Sequence, residues 1–436
     1  MPTKQNNFYY PSLGSNGEPN FQCLIGDSST VVQTIDQLDY KHSRNYMMNI
    51  NYEATDIDLI KFRDDLIRLN KQVMNKLYVN KQSKACFRVN IFNYNTTNEA
   101  ILKNMIVNSD QSKIKDLPKI GFKEFCVFNK CLSAGLMTID KELLDKPMKC
   151  YGYDFSKYYY QMMRKIRIPI CEPTYHVIDA VDFTKLGFGI YRVKVDCTNK
   201  DFWQVFNFNK SNHYTHNTLK TLYEYKDLYG IKFDLLPVTD QYDYNVIQYA
   251  KTIEMKVLFK QWFSNMDDVL TRCKGNWLGK SYVSQAWGNL CKFKKLKVAE
   301  EDIDDYDWEH IDRAEFNKQY EYYNYKMSDG RYQLINSDDA FSNPLARLKP
   351  FLTEYARMYI FNFVSQYDIA SDVIRVQTDG ITFKRPYDFS AEPYFPLVEQ
   401  KTTAYIKFYN VNSYVHVCKK CKAEWKYDKN YIHECN

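Results

Sequence analysis

A chain of 436 residues that is 45% hydrophobic and 26% charged is ordinary for a globular protein and long enough for two to four domains with cores of their own. Its 59 Lys and Arg against 53 Asp and Glu leave a net charge of +6, which permits a nucleic-acid partner without arguing for one. No 18-residue apolar run occurs, which excludes a membrane-spanning helix and points to a soluble, intracellular protein, and 12 cysteines in so long a chain read as reduced thiols plus one metal site.

Residues 1–55 are polar and turn-rich, with no regular period. Residues 56–77 carry a helical pattern, with Leu59, Ile60, Leu66, Ile67, Val73 and Leu77 spaced for one face. Residues 85–150 read as short strands and loops, except that 147–153 form a buried strand ending at Asp154 and 156–165 the helix that follows. Alternation over 177–197 suggests two or three strands. Two helices are expected at 244–263 and 266–290, joined at Ser264-Asn265, with Ser264 and Asp267 as the capping signal of the second. Residues 293–343 are polar and irregular and read as an insertion. A third long helical pattern covers 345–366, interrupted by Pro350. Residues 374–384 read as a hairpin and 400–417 as strand-rich, before a cysteine-rich end.

Three segments on this frame carry chemistry. Tyr153-Asp154-Phe155-Ser156-Lys157-Tyr158-Tyr159 puts a carboxylate where a strand becomes a helix. Val376-Gln377-Thr378-Asp379-Gly380 puts another at the tip of a hairpin. Between them, Arg272, Asn276, Lys280, Ser284 and Trp287 recur at spacings of 4, 4, 4 and 3, one face of the helix expected at 266–290, with Gly288 directly after the indole. Each has an ordinary reading alone: a helix cap, a turn residue, a wet helix face. Together they supply two carboxylates for a pair of hard cations and a lysine for a triphosphate, the needs of a two-metal nucleotidyl transferase.

The three segments resemble motifs A, B and C of family B DNA polymerases, whose patterns are D-x-x-S-L-Y-P, K-x-x-x-N-S-x-Y-G and Y-x-D-T-D-S. The branch they look closest to is the compact, protein-primed one of small phages, adenoviruses and linear plasmids. Residues 351–357 are similar to the helix before that branch's final hairpin, and Ser133-Ala134-Gly135-Leu136 loosely resembles its template-contact segment. The resemblance implies that Asp154, the Phe155 carbonyl and Asp379 hold two Mg²⁺ ions (Mn²⁺ as an alternative) about 3.5–4 Å apart. It implies that Lys280, helped by Arg272, neutralises the dNTP phosphates, that Ser284 also binds the nucleotide, that Tyr159 excludes a 2′-hydroxyl, and that Trp287 and Gly288 pack on the nascent base pair. Gly135 and Lys401 would touch DNA, although the spacing from Lys401 to Tyr405 departs from the family's Lys-x-Tyr.

Departures from the patterns are Lys157 and Tyr160 in motif A, Ser284-Gln285 and Trp287 in motif B, and Arg375, Gln377 and Gly380 in motif C. Gln377 replaces the first motif C carboxylate, so weakened or altered metal preference is expected. Cys418-x-x-Cys421 followed by His433-x-Cys435 gives four soft ligands with spacing that suits a structural tetrahedral Zn²⁺.

The fold expected is an α/β (α+β) right hand. Its parts are an N-terminal region at 1–130 without an exonuclease signature, palm at 131–243 and 344–390, and helical fingers at 244–292. A polar insertion at 293–343, a thumb-like segment at 391–413 and a zinc knuckle at 414–436 complete it. The function expected is template-directed DNA synthesis from dNTPs on a primer-template, in replication of a virus, phage or linear mobile element. The primer would be either a nucleic-acid 3′-hydroxyl or the hydroxyl of a terminal protein, a separate exonuclease is a candidate partner, and no membrane is involved. The alternative is a catalytically degenerate, polymerase-like protein that binds DNA or scaffolds a replisome, which only the motif departures favour.

Overall fold

The computed structural model describes residues 97–239 (Ser133 apart), 243–272, 283–294, 340–389 and 405–426, together with residues 64, 65 and 67–69 and the backbone of several short strands elsewhere. The chain divides into two compact units, one formed by Met1–Asp116 with Glu254–Leu290, the other by Leu117–Ile253 with Cys291–Asn436. Among the described residues no helix is long and apolar enough to cross a membrane.

The second unit is built around a five-stranded antiparallel sheet. Its strands are β1 (Met137–Ile139), β2 (Tyr151–Phe155), β3 (Val373–Gln377), β4 (Gly380–Phe383) and β5 (Leu397–Gln400), in the order β5-β2-β4-β3-β1. Three helices serve it: α1 (Tyr158–Lys165), α2 (Lys200–Val205) and α3 (Leu348–Gln366). Alternation places Tyr153 and Phe155 of β2 in the core, 4% and 0% exposed, and leaves Asp154 half-buried on the other face. Phe155 meets Tyr359 and Phe363 of α3 edge-on, with ring centroids 5.6 and 5.4 Å apart, and Tyr158 donates to the Ala356 carbonyl. Phe202 of α2 reaches Phe361 at 5.9 Å, so α3 is enclosed on most of its faces.

A second sheet in this unit runs His213–Thr215, Gly189–Asp196, Val246–Gln248, Thr174–His176. A three-stranded sheet of Tyr405–Phe408, Tyr414–Val417 and Glu424–Trp425 follows near the C-terminus. The two are separate elements of one unit.

Several expectations are corrected. Residues 1–55 contain a four-stranded sheet of Asn6–Leu13, Pro19–Ile25, Ser28–Val32 and Arg44–Met47, formed by backbone pairing without an alternating pattern to announce it. The described part of residues 85–150 holds, besides the short strand Met137–Ile139 and loops, three helices that were not expected, at Thr97–Val107, Gln111–Ile114 and Phe122–Lys130. In the first and last of these the apolar stripe contains buried polar residues, Asn104 and Glu124, which broke the periodicity. Residues 177–197 hold one strand, Gly189–Asp196, because Asp182 turns the chain by accepting from the Thr184 amide at 2.9 Å. Residues 244–263 begin as the strand Val246–Gln248, and the helix Lys260–Arg272 runs straight through Ser264-Asn265. Asn265 is no linker residue: it is buried and its amide donates to Asn108 Oδ1 at 3.4 Å. The stretch 293–343 includes three paired strands, Leu296–Val298, Tyr325–Lys326 and Tyr332–Leu334. Pro350 does not interrupt α3, because it is the third residue of the helix, where no N–H is needed for an intrahelical bond. Of the helical pattern at 56–77, only residues 64, 65 and 67–69 are described, and they are helical.

Candidate active site

β3 and β4 form a hairpin in which Gln377 faces Gly380, so the two-residue turn is Thr378-Asp379 rather than Asp379-Gly380. Thr378 takes φ +61°, a conformation that a β-branched residue rarely adopts, at a cost of order 1–3 kcal/mol. The surroundings hold it there. Its amide donates to the Leu136 carbonyl at 2.7 Å, and its side chain lies where a Cβ on Gly135 would stand, 2.7 Å from Thr378 Oγ1 and 2.8 Å from Cγ2. Arg357 of α3 fixes the other side of that segment, donating through Nε to the Ala134 carbonyl at 2.8 Å and through Nη2 to the Gly135 carbonyl at 2.9 Å.

β4 pairs with β2 so that Gly380 lies opposite Asp154. The Phe155 amide donates to the Asp379 carbonyl at 2.8 Å, and a Cβ on Gly380 would stand 3.9 Å from Asp154 Oδ1. Asp154, on β2, and Asp379, in the turn between β3 and β4, are far apart in sequence but therefore lie at one end of the sheet, both half-buried. Asp154 does not cap α1: the N-cap is Lys157, at φ 55° and without a side-chain cap bond.

Tyr159, in the first turn of α1, completes the corner. Burial pushes its phenol up to about 12; the Arg357 guanidinium opposes this and the negative charge of Asp379 adds to it. Burial also pushes Tyr158 upward, with the same aspartate contributing. Gln377, where the resemblance implies a carboxylate, donates its amide to Asn412 Oδ1 at 3.1 Å. Among the described residues no three or more His, Cys, Asp or Glu side chains converge on one point. A cation at the aspartate pair would fill its shell with carbonyl, phosphate and water oxygens, the ligands Mg²⁺ normally keeps, so the donor set fits that ion.

The structure thus gathers Asp154, Phe155, Tyr159, Asp379 and Gly135 in one unit. Arg272 ends the helix Lys260–Arg272 of the other unit, and Ser284, Trp287 and Gly288 belong to that unit too; Trp287 and Gly288 lie in the helix Ala286–Leu290, and a Cβ on Gly288 would meet nothing within 4 Å. Lys280, Lys401, His433 and Cys435 lie outside the described residues. Cys418 and Cys421 stand in a hairpin turn. Sequence reasoning missed Arg357 and Thr378. The signal for Arg357 was a lone cation in an otherwise apolar stretch of helix; for Thr378 there was none, since its φ depends on Gly135 and Leu136.

No protein-family model matches the sequence, and no curated protein does. Solved structures do. Phi29 DNA polymerase complexed with primer-template DNA and incoming nucleotide substrates is similar over 100% of this chain and 91% of that chain, with 10% identity and a TM-score of 0.55. The binary complex of Phi29 DNA polymerase with primer-template DNA matches over 100% and 77%, with 11% identity and a TM-score of 0.55. The complex with single-stranded DNA matches over the same shares, with 12% identity and a TM-score of 0.51. At such identities the likeness is one of architecture: this chain has a mixed helix and antiparallel-sheet fold similar to that of a DNA polymerase.

Proposed function

We propose that the chain is a template-directed DNA polymerase of the family B type, which adds deoxynucleotides to a primer 3′-hydroxyl or to the hydroxyl of a terminal protein. The observation that carries this reading is that Asp154 on β2 and Asp379 in the neighbouring hairpin turn lie at one end of the sheet, with Tyr159 near Asp379 and the hairpin tip held by Gly135, Leu136 and Arg357. The likeness in fold to a polymerase solved with primer-template DNA and nucleotides supports it.

Asp154, the Phe155 carbonyl and Asp379 are the groups that would hold two Mg²⁺ ions, which when bound supply a more acidic attacking hydroxyl and neutralised leaving phosphates. The protein's own part is positioning. Tyr159, neutral because its phenol titrates near 12, offers a flat wall beside Asp379 against which a deoxyribose fits and a 2′-hydroxyl does not. Lys280, Arg272, Ser284 and Trp287 bind the triphosphate and the nascent pair, with open space beside Gly288 for close approach. Gly135 and Lys401 contact the DNA. Gln377 leaves the corner with one negative charge fewer than the family pattern, which favours Mn²⁺ over Mg²⁺ as the better activator.

Primer extension on a primed template with dNTPs and either cation tests the reading. Wild-type protein should extend the primer, and Asp154→Ala or Asp379→Ala should each lose several kcal/mol of transition-state stabilisation, about 10³-fold or more in rate. DNA binding should persist in both. Binding without extension by the wild type would leave the degenerate, scaffold-like protein as the correct reading.

A further inference from the structure

Arg375 and Gln377, two of the departures from the motif C pattern, stand two residues apart on β3 and so point to the same face of the sheet. The register identifies that face. Gln377 lies opposite Gly380 and Gly380 opposite Asp154, and residues opposed across antiparallel strands share a face. Asp154, Gly380 and Gln377 therefore form one row, in which the glycine contributes no side chain and Gln377 is the next side chain after Asp154.

One turn engages both departures. The strands Tyr405–Phe408 and Tyr414–Val417 are joined at 409–413, where the Tyr409 amide donates to the Ser413 carbonyl at 2.9 Å and the Asn412 amide to Asn410 Oδ1 at 2.8 Å. Gln377 Nε2 donates to Asn412 Oδ1 at 3.1 Å, and Arg375 Nη1 donates to the Val411 carbonyl at 3.2 Å. The Arg375 guanidinium also lies 5.0 Å from the ring centroid of Phe408 and 5.1 Å from that of Tyr414, the residues that flank the turn. Further from the turn, the Ile406 amide donates to the Met148 carbonyl at 2.8 Å and the Met148 amide to the Ile406 carbonyl at 3.0 Å. Ile406 and Phe408 share a buried cluster with Cys150 and with Ile374 of β3. An amide at 377 suits this contact, because a carboxylate has no N–H to give to Asn412 Oδ1.

We propose that Arg375 and Gln377 are positioning residues that pin the 409–413 turn to the face carrying Asp154, so that its exposed tip at Asn410, Asn412 and Ser413 is a fixed wall against which the primer end is placed. The negative charge missing from the corner is then the consequence of a tie rather than of decay. The role assigned to the wall rests on the polymerase reading; the pinning itself does not.

Gln377→Leu and Asn412→Ala each remove the same hydrogen bond. Each should lower kcat for primer extension by about three- to tenfold, the worth of one ordinary hydrogen bond, and leave the KM for dNTP within about twofold. The double variant should be no slower than either single one, and Asn412→Asp, whose carboxylate still accepts from Gln377, should keep the wild-type rate. Losses that multiply in the double variant, a silent Asn412→Ala, or a Gln377→Asp variant faster than wild type would each overturn the proposal. Hydrogen exchange reads the pinning without catalysis. In Gln377→Leu and Arg375→Met the Tyr409 and Asn412 amides should exchange faster by about tenfold, and unchanged exchange in Gln377→Leu would overturn the pinning even if Arg375→Met fails to fold. Wild-type protein that extends no primer would overturn the polymerase reading and the wall with it, while faster exchange in the variants would still uphold the tie.

Discussion

Glu354 sits enclosed in the middle of α3, its Oε2 accepting from the Thr215 amide at 2.7 Å and from Thr218 Oγ1 at 2.6 Å. Burial pushes its carboxyl up to about 7, against the lowering pull of those hydrogen bonds and of Arg357. A carboxyl that holds its proton more tightly folded than unfolded contributes stability that is complete below its ordinary value of 4.5 and is lost as pH rises through about 7. Glu354→Gln carries no charge at any pH. Relative to the wild type, the variant should therefore gain unfolding free energy on the order of 3 kcal/mol between about pH 4 and about pH 8, measured by urea denaturation. A difference that stays flat across this range would mean an ordinary, ionised Glu354. Buried His213 and His216, both pushed down to about 4 by burial, contribute a slope of the opposite sign, but both proteins share it and it cancels in the comparison.

At the level of the element, the hairpin of β3 and β4 depends on a glycine that is not its own. A Cβ on Gly135 would stand 2.9 Å from Thr378 Cβ, closer than folded proteins tolerate, so Gly135→Ala must move either the loop that Arg357 clamps or the tip that carries Asp379. The substitution should cost about 1–3 kcal/mol in stability by overpacking and should depress primer extension even though both aspartates remain. Thr378→Gly relieves the clash and the left-handed strain together. The double variant should accordingly be more stable and more active than Gly135→Ala alone, a non-additivity that thermal unfolding and extension rate can both read. Equal losses in single and double variants would show that the two residues are not coupled.

Across the second unit, segments remote in sequence are tied by one buried ion pair. Arg347, just before α3, donates Nη2 to Glu124 Oε2 at 2.7 Å and Nε to Oε1 at 2.8 Å, with side chains 0% and 2% exposed. Nη1 and Nη2 also donate to the Pro118 and Lys119 carbonyls, at 2.6 and 2.8 Å, and Tyr249 donates to Glu124 Oε1 at 2.8 Å. Every charge in this group is thus matched. Arg347→Ala strands a carboxylate in the core and should lower unfolding free energy by about 3–5 kcal/mol. Arg347→Met with Glu124→Gln should cost less than the sum of its single substitutions, which a double-mutant cycle by chemical denaturation would test.

Sequence alone was enough to place the strand that holds Asp154 and to anticipate α1, α3 and the hairpin whose turn holds Asp379, because each of these rests on local patterning or turn chemistry. Its boundaries were less secure: α1 begins at Tyr158 rather than Ser156, since Lys157 adopts a left-handed cap. The helices Thr97–Val107 and Phe122–Lys130 were hidden for a reason no window of sequence contains. Their apolar stripes include Asn104 and Glu124, and Glu124 is a core residue only because Arg347 and Tyr249 come to it from elsewhere in the chain. The same holds for the tip of the hairpin. That Thr378 rather than Gly380 takes the left-handed turn, and that Gly135 and Arg357 hold it there, follows from contacts between segments remote in sequence. Residue type and spacing singled out two carboxylates as candidates; only the tertiary structure decided what fixes them, because burial and partner geometry are properties of the folded chain.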